Sequence, residues 1–368
     1  MRRITFVISS LASGGAERVM SLMANYWADK SYEITLLSFD DSRTPPFYEL
    51  NPRINYIPLG LKGDSRNFLE GVLKNAGRIR KLRRAIKTSD PDVVISFIDK
   101  TNVTTLLAMA GAKIPVIVSE HSDPSQCLIG STWDRLRNFT YSFASAVVTL
   151  NEKALKYFPQ KIQANTHIIP NPVVVELENG STDNNKVGHT LISMGRLSEE
   201  KCFDLLIKAF AKIKNNFPEW RLTILGEGPE RETLEQLIDE LDISDIVDLP
   251  GNIKHPHPII REAKLYILSS RFEGFPCALC EAMACGLPVI STEYHSGARE
   301  IIDDGVNGVL VPVGDIDAMS DTMGQLMADE NKRNKLALNA VKISERFSLE
   351  SVMRIWEELL RKTIERRN

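Results

Sequence analysis

Two carboxylates eight residues apart bracket the stretch best suited to chemistry, Glu273-Gly274-Phe275-Pro276-Cys277-Ala278-Leu279-Cys280-Glu281. Glu273 is expected just past a strand and Glu281 about one turn into the following helix. The Gly-Phe-Pro turn between them exposes the first amides of that helix, a ready site for an anion. Glu281 there suits paired hydrogen bonds from vicinal hydroxyls such as a ribose diol; the plainer alternative is a capping carboxylate and a surface acid. Upstream, Gly195-Arg196-Leu197-Ser198-Glu199-Glu200-Lys201 offers two cations in one loop. Arg196 and Lys201 suit a diphosphate, with the guanidinium able to fork onto two oxygens. The alternative is a solvated loop in which they pair with Glu199 and Glu200.

Near the N-terminus, Ser13-Gly14-Gly15 follows a strand and opens a helix, so Gly14 and Gly15 let backbone amides approach a phosphate, or simply permit a tight turn. The spacing is not G-x-G-x-x-G, so the usual dinucleotide fingerprint is absent. Glu120-His121-Ser122 also follows a strand, which puts His121 where it can bond a sugar hydroxyl or shuttle a proton. His255, His257 and His295 lack ligand-like spacing and stay unassigned. Cys277, Cys280 and Cys285 have no second ligand pair, so no metal is expected.

Lys74, Arg78, Arg80, Lys81, Arg83, Arg84 and Lys87 form a run of seven cations with no acid between Glu70 and Asp90. On a helix, Ile79, Leu82 and Ile86 make a narrow apolar stripe and the cations cover the rest. That is either a solvated face or a surface for an anionic partner, such as membrane headgroups or a lipid diphosphate.

These residues must be placed by a scaffold, and short apolar runs alternating with helical patterns supply it. The runs predict strands at 4–8, 34–39, 55–58, 93–97, 116–119, 146–150 and 167–169, then at 191–194, 222–225, 246–249, 265–269, 288–291 and 308–311. Several are continuously apolar, as in parallel sheets covered on both faces. The prediction is α/β, with two doubly wound parallel-sheet domains. Residues 1–170 and 171–347 form the domains, and the polar segment 176–188 after Pro170-Asn171-Pro172 is the linker. A helix at 348–368, with Val352, Ile355, Trp356, Leu359 and Leu360 as its apolar stripe, closes the second domain or crosses back to the first.

Composition narrows the classes further. The chain has 368 residues, 45 Lys+Arg, 48 Asp+Glu and a net charge of −3, which excludes a globally basic nucleic-acid binder. Five cysteines fit a reducing compartment without a disulfide framework. Arg2 and Arg3 precede a first strand rather than a signal peptide, and no apolar run is long enough to span a bilayer.

With these motifs in view, the chain resembles the retaining glycosyltransferases of family 4, whose GT-B architecture sets two Rossmann-like domains facing across a cleft. Glu273 to Glu281 running into Ala282-Met283-Ala284-Cys285-Gly286-Leu287-Pro288 carries the resemblance best. Gly195-Arg196-Leu197 with Lys201, and Gly226-Glu227-Gly228-Pro229, add to it. Ser13 to Arg18, Ile95-Ser96-Phe97, Thr101-Asn102 and Ser119-Glu120-His121-Ser122 are similar to bacterial N-acetylgalactosamine transferases that extend undecaprenyl-diphosphate-linked oligosaccharides.

The resemblance implies transfer of a hexose or N-acetylhexosamine from a UDP-sugar to a polyprenyl-diphosphate-linked saccharide, at the inner face of the cytoplasmic membrane and without a cofactor. It implies catalytic roles for Arg196, Lys201, Glu273 and His121. Donor contacts would come from Gly14, Gly15, Gly195, Gly226, Glu227, Gly274, Phe275, Pro276, Ala278, Leu279 and Glu281. Arg78, Arg80, Lys81, Arg83, Arg84 and Lys87 would meet the lipid diphosphate or the anionic membrane. Pro276-Cys277 departs from the glycine common after the E-G-F sequence and leaves the donor sugar open. A front-face retaining mechanism likewise follows from the resemblance. A nucleotide-sugar epimerase and a non-catalytic sugar-binding protein are the competing readings.

Overall fold

The computed structural model describes residues 2–365 apart from 44, 64–67, 128, 176–187 and 296. The expected linker therefore lies, save for Gly188, outside the described residues. By its contacts the chain divides into two compact units, Met1–Asn171 with Glu350–Asn368, and Pro172–Leu349.

Unit 1 runs β1 (Arg3–Ile8), α1 (Gly15–Asp29), β2 (Glu33–Ser38), β3 (Asn55–Pro58), α2 (Phe68–Ser89), β4 (Val93–Phe97), α3 (Asp99–Met109), β5 (Val116–Ser119), α4 (Ser131–Tyr141), β6 (Ala146–Thr149), α5 (Glu152–Tyr157), α6 (Gln160–Gln163) and β7 (Thr166–Ile168). Its seven strands pair in the order β3-β2-β1-β4-β5-β6-β7, all parallel. β4, β5 and β6 are buried along their whole length, which is why they read as unbroken apolar runs. Leu82 and Ile86 of α2 pack with Val94, Val103 and Val118 in the core.

Unit 2 runs β8 (His189–Met194), α7 (Phe203–Ile213), β9 (Trp220–Leu225), α8 (Arg231–Glu240), β10 (Val247–Gly251), α9 (His257–Glu262), β11 (Leu265–Leu268), α10 (Cys277–Ala284), β12 (Val289–Thr292), α11 (Ala298–Ile301), β13 (Val309–Val311), α12 (Ile316–Ala328), α13 (Glu330–Ala340) and α14 (Ile343–Arg346), and the closing helix α15 (Leu349–Glu365) groups from Glu350 onward with unit 1. The sheet order is β10-β9-β8-β11-β12-β13, again all parallel. In each unit the winding reverses, at β1/β4 and at β8/β11, and crevices for ligands open beyond the strand ends at such points.

Two expectations need correction. On α15, Val352, Trp356, Leu359 and Leu360 are buried, but Ile355 is 44% exposed and Met353 takes its place inside. A period of 3.6 residues fits both sets, and the surface met by the helix selects one. On α2 the cations do not all stand free. Arg78 Nε donates to the Leu61 carbonyl at 2.9 Å and Nη2 to that of Gly63, while Lys81 donates to the Leu59 carbonyl. Arg83 Nη1 reaches the carbonyls of Ala108 at 2.6 Å and Ala110 at 2.9 Å, where α3 ends and its last carbonyls lack helical partners. Arg80, Arg84 and Lys87 remain exposed, with no ion pair among the described residues.

Candidate functional site

In unit 2 the loops beyond β8, β9 and β11 are laced together by backbone hydrogen bonds. Gly195 N–H donates to Leu225 O at 2.9 Å, Leu197 N–H to Glu227 O at 3.0 Å and Glu230 N–H to Leu197 O at 3.0 Å. Such close approach requires glycine. Gly226 has φ 144°, and a Cβ there would overlap the Gly195 carbonyl; one at Gly228 would overlap the backbone of Leu197.

Lys201 ends a short helical turn, and its Nζ lies 2.6 Å from Glu273 Oε1, which also accepts from Ser270 Oγ at 2.6 Å. Glu273 is 8% exposed, so this carboxylate is answered before any ligand arrives. Ser269 Oγ donates to the Lys201 carbonyl at 2.7 Å, tying the β11 loop to the β8 loop. Arg196 is exposed and unpaired among the described residues. Glu199 instead meets Arg271 at 3.2 Å and Glu200 accepts from Ser198 Oγ at 2.6 Å. The alternative in which those acids neutralise Arg196 and Lys201 is therefore not the arrangement found.

Pro276 caps α10, whose opening residues Cys277, Ala278 and Leu279 present amides without intrahelical partners; the amide of Cys277 turns to the Phe275 carbonyl at 2.9 Å. Gly274 and Phe275 lead into this turn, and the Phe275 ring stands edge-on to Phe347 at 5.3 Å. Glu281, 3% exposed, lies on α10, with Oε2 3.6 Å from Nε2 of the fully buried His257. His257 is the residue that sequence reasoning missed. Glu227 lends its backbone carbonyl to the site, but its carboxylate is turned to Arg231 at 2.6 Å.

In unit 1 the corresponding ends belong to β1, β4 and β5. Gly14 caps α1, and a Cβ on it would overlap the carboxylate of Glu17, so an acid folds over the helix start where an anion was expected; Gly15 has open space. At the end of β4, Ile98 is held at φ 73°, an unusual strain for a β-branched residue, with its amide on Ser119 O.

His121 follows β5 with its ring stacked on Phe97 at 4.0 Å, Nε2 3.1 Å from Ser119 Oγ and Nδ1 buried without a partner. Desolvation lowers its pKa to about 3, so the imidazole is neutral. Beneath it, Glu120 is 1% exposed, accepts from the Tyr141 hydroxyl and lies 3.9 Å from Arg137, itself 1% exposed. Burial, partly offset by Arg137, raises the Glu120 pKa to about 7. Asn102 braces this network, donating to Ser119 O and to Tyr141 Oη, both at 2.9 Å. Glu120 Oε2, Asn102 Oδ1 and Arg137 Nε and Nη1 are buried with no hydrogen-bond partner among the described residues.

Residues 13–177 match the model of Glycosyltransferase Family 4, and residues 176–343 match that of Glycosyl transferases group 1. The chain is 30% identical, over 98% of both sequences, to the GalNAc-alpha-(1->4)-GalNAc-alpha-(1->3)-diNAcBac-PP-undecaprenol alpha-1,4-N-acetyl-D-galactosaminyltransferase of Campylobacter jejuni. It is 27% identical to the N-acetylgalactosamine-N,N'-diacetylbacillosaminyl-diphospho-undecaprenol 4-alpha-N-acetylgalactosaminyltransferase of the same organism, over 90% of this chain and 92% of that one. Among solved structures, Anabaena HepE in complex with UDP superposes with a TM-score of 0.78 at 21% identity, covering 98% of this chain and 100% of the other. Sucrose-phosphate synthase from Thermosynechococcus elongatus gives 0.84 at 17% identity, over 98% and 99%. At these identities the structural likeness bears on the fold.

Proposed function

The chain belongs to the GT-B glycosyltransferases that join a family 4 domain to a group 1 domain, and from that premise we propose that it moves a hexose or N-acetylhexosamine from a UDP-sugar to a polyprenyl-diphosphate-linked saccharide, with retention at the anomeric carbon. The carrying observation is the pair of cations in the β8 loop of unit 2, with Lys201 fixed on Glu273 and Arg196 standing open. In the transfer the anomeric carbon's bond to the diphosphate oxygen breaks, and the acceptor hydroxyl oxygen bonds that carbon. The hydroxyl proton passes to the departing phosphate. Negative charge grows on the diphosphate, and Arg196, Lys201 and the opening amides of α10 stabilise it.

Glu281, braced by His257, holds the ribose diol. Glu273 and the Gly274-Phe275 backbone contact the donor sugar. Unit 1 serves the acceptor, with the neutral His121 able to accept or donate a hydrogen bond to a hydroxyl, and α2 meets the lipid diphosphate or an anionic bilayer. Among the described residues no helix is long and apolar enough to cross a membrane, and we place the enzyme peripherally on the inner leaflet. The relatives' names, which specify undecaprenol-linked substrates, support this acceptor class.

The test is a panel of UDP-sugars with polyprenyl-diphosphate saccharides, products read by mass spectrometry, with and without excess chelator. The expected product is acceptor plus one or more sugars, formed equally well in chelator. Epimerised donor formed without acceptor, or donor binding without turnover, overturns the transferase reading. Activity lost in chelator and restored by magnesium or manganese overturns charge stabilisation by the two cations alone.

A further inference from the structure

Beside the start of β5, unit 1 carries a surface that the donor and acceptor residues leave unused. Phe139 on α4 and Phe143 just past its end are 62% and 67% exposed. Their rings meet edge to face at 5.2 Å. They line a groove of about 920 Å³ together with Leu106, Leu107, Ile114 and Pro115. Contiguous exposed apolar surface of this kind marks a docking site.

The charged residue in the groove's lining is basic, and further cations border it. Lys113 lines it and is exposed, Arg135 stands exposed four residues before Phe139 on α4, and Lys161 Nζ lies 5.9 Å from the Phe143 ring centroid. Arg83 is tethered to the carbonyl of groove-lining Ala110, and Arg80, Arg84 and Lys87 share its surface. On α4 and α15, which both contribute lining residues, Asp134 pairs with Arg137, Glu358 with Lys362 and Glu365 with Arg361.

We propose that this face docks on an anionic bilayer, with Phe139 and Phe143 entering the interfacial layer and the surrounding cations resting among the headgroups. Exposed aromatic rings ringed by unpaired Lys and Arg are what an interfacial binder presents. A second copy of the chain on this face would set like charges against each other. The inference rests on the reading of a lipid-linked acceptor and shares the cations of α2 with it, but Phe139, Phe143 and the apolar groove have no part in the residues assigned to transfer. The groove reaches Val116 at the start of β5, whereas His121 lies beyond its end.

The experiment uses the full chain and vesicles of phosphatidylglycerol and phosphatidylcholine, with neither donor nor acceptor present. Phe139→Trp should gain blue-shifted emission on binding, quenched by brominated lipid. Phe139→Ser with Phe143→Ser should weaken vesicle binding at least tenfold at low salt, and abolish the part that survives 0.5 M salt. Both residues are exposed, so thermal unfolding should stay parental. Parental binding by the double variant, or an unquenched Trp at 139, overturns the proposal. So does a double variant that loses self-association while binding vesicles normally, which would assign the face to a second copy. Failure of the transferase reading is a separate result: no transfer to acceptor dispersed in detergent, with the vesicle outcome unaffected.

Discussion

The strand-end loops of the two units handle charge in opposite ways. In unit 2 the carboxylates are answered inside the chain: Glu273 by Lys201 and Ser270, Glu227 by Arg231, and Glu281 has His257 beside it. In unit 1 the equivalent region holds a neutral His121, a Glu120 with a raised pKa and four buried polar atoms on Glu120, Asn102 and Arg137 without hydrogen-bond partners among the described residues. A site for a growing negative charge gains from cations already oriented, since reorganisation during the reaction is what slows it. A site for neutral hydroxyls gains instead from an uncharged donor and acceptor such as the neutral His121 imidazole. On the proposed reading the donor diphosphate goes to unit 2 and sugar hydroxyls to unit 1, and each prediction below attacks one side of that contrast.

The largest effect should follow from the cations. Lys201→Ala and Arg196→Ala should each lower kcat by about 10²–10³-fold, with a smaller change in donor affinity, because the charge they meet develops in the transition state. Steady-state kinetics with saturating UDP-sugar checks this. Near-parental kcat in both variants would place the diphosphate elsewhere and erase the contrast.

Glu120 tests the other side through stability. Its pKa rises from 4.5 in the unfolded chain to about 7 in the fold. Between those values the folded state keeps a proton that the unfolded state has lost, so Glu120 costs stability increasingly as pH rises from about 4.5 to 7. Glu120→Gln keeps an acceptor for Tyr141 and removes the titration. Its stability relative to the parent should climb by about 3 kcal/mol over that window and level off above pH 7. His121 acts oppositely. Its pKa falls from 6.5 to about 3, so it costs stability as pH drops through that range. Denaturant unfolding across pH in a His121→Asn background isolates the Glu120 slope; a pH-independent difference would mean that Glu120 is charged in the fold.

Much of this scaffold was readable beforehand. Strands such as Val93–Phe97 and Val116–Ser119 are covered on both faces and hence continuously apolar, so their bounds show directly. The Glu273–Glu281 stretch was legible because its turn and helix start are local. What escaped was set by packing between distant segments. His257 is a lone histidine on a six-residue helix until α9 meets α10 and brings it to Glu281. Arg137 sits among polar residues of α4, and nothing in its neighbours announces that Glu120 awaits it in the core. Arg83 looked like one more surface cation because its acceptors are backbone carbonyls of Ala108 and Ala110, which no side-chain pattern encodes.

A middle-sized effect should separate ribose binding from chemistry. Glu281→Ala should raise the UDP dissociation constant tenfold or more while leaving a measurable kcat at saturation. Losing charge-assisted bonds to two hydroxyls costs roughly 1.5–3 kcal/mol each at most. His257→Gln should give a smaller shift in the same direction, since it acts only by positioning Glu281. Titration calorimetry with UDP and with UMP reads both, and unchanged affinity in Glu281→Ala would remove the ribose role.

The smallest effect concerns α2, where the contrast between answered and unanswered charge recurs within one helix. Arg83 is spent on two carbonyls, whereas Arg80, Arg84 and Lys87 have no ion pair among the described residues. A free cation near an anionic surface contributes about 1 kcal/mol, and screening within roughly 8–10 Å at ordinary salt reduces it. Replacing Arg80, Arg84 and Lys87 together with Gln should therefore weaken anionic-vesicle binding by about three- to tenfold at 0.15 M salt. At 0.5 M salt the difference should vanish, and unfolding should be unaffected. Arg83→Gln should do the reverse: it should leave vesicle binding near parental but lower stability by about 1–3 kcal/mol, because two charge-assisted hydrogen bonds at the end of α3 are lost. Co-sedimentation paired with denaturant unfolding reads both variants. If Arg83→Gln weakens vesicle binding as much as the triple variant does, with no loss of stability, then its carbonyl bonds are not what distinguishes it from its neighbours, and α2 acts as a single undivided cationic face.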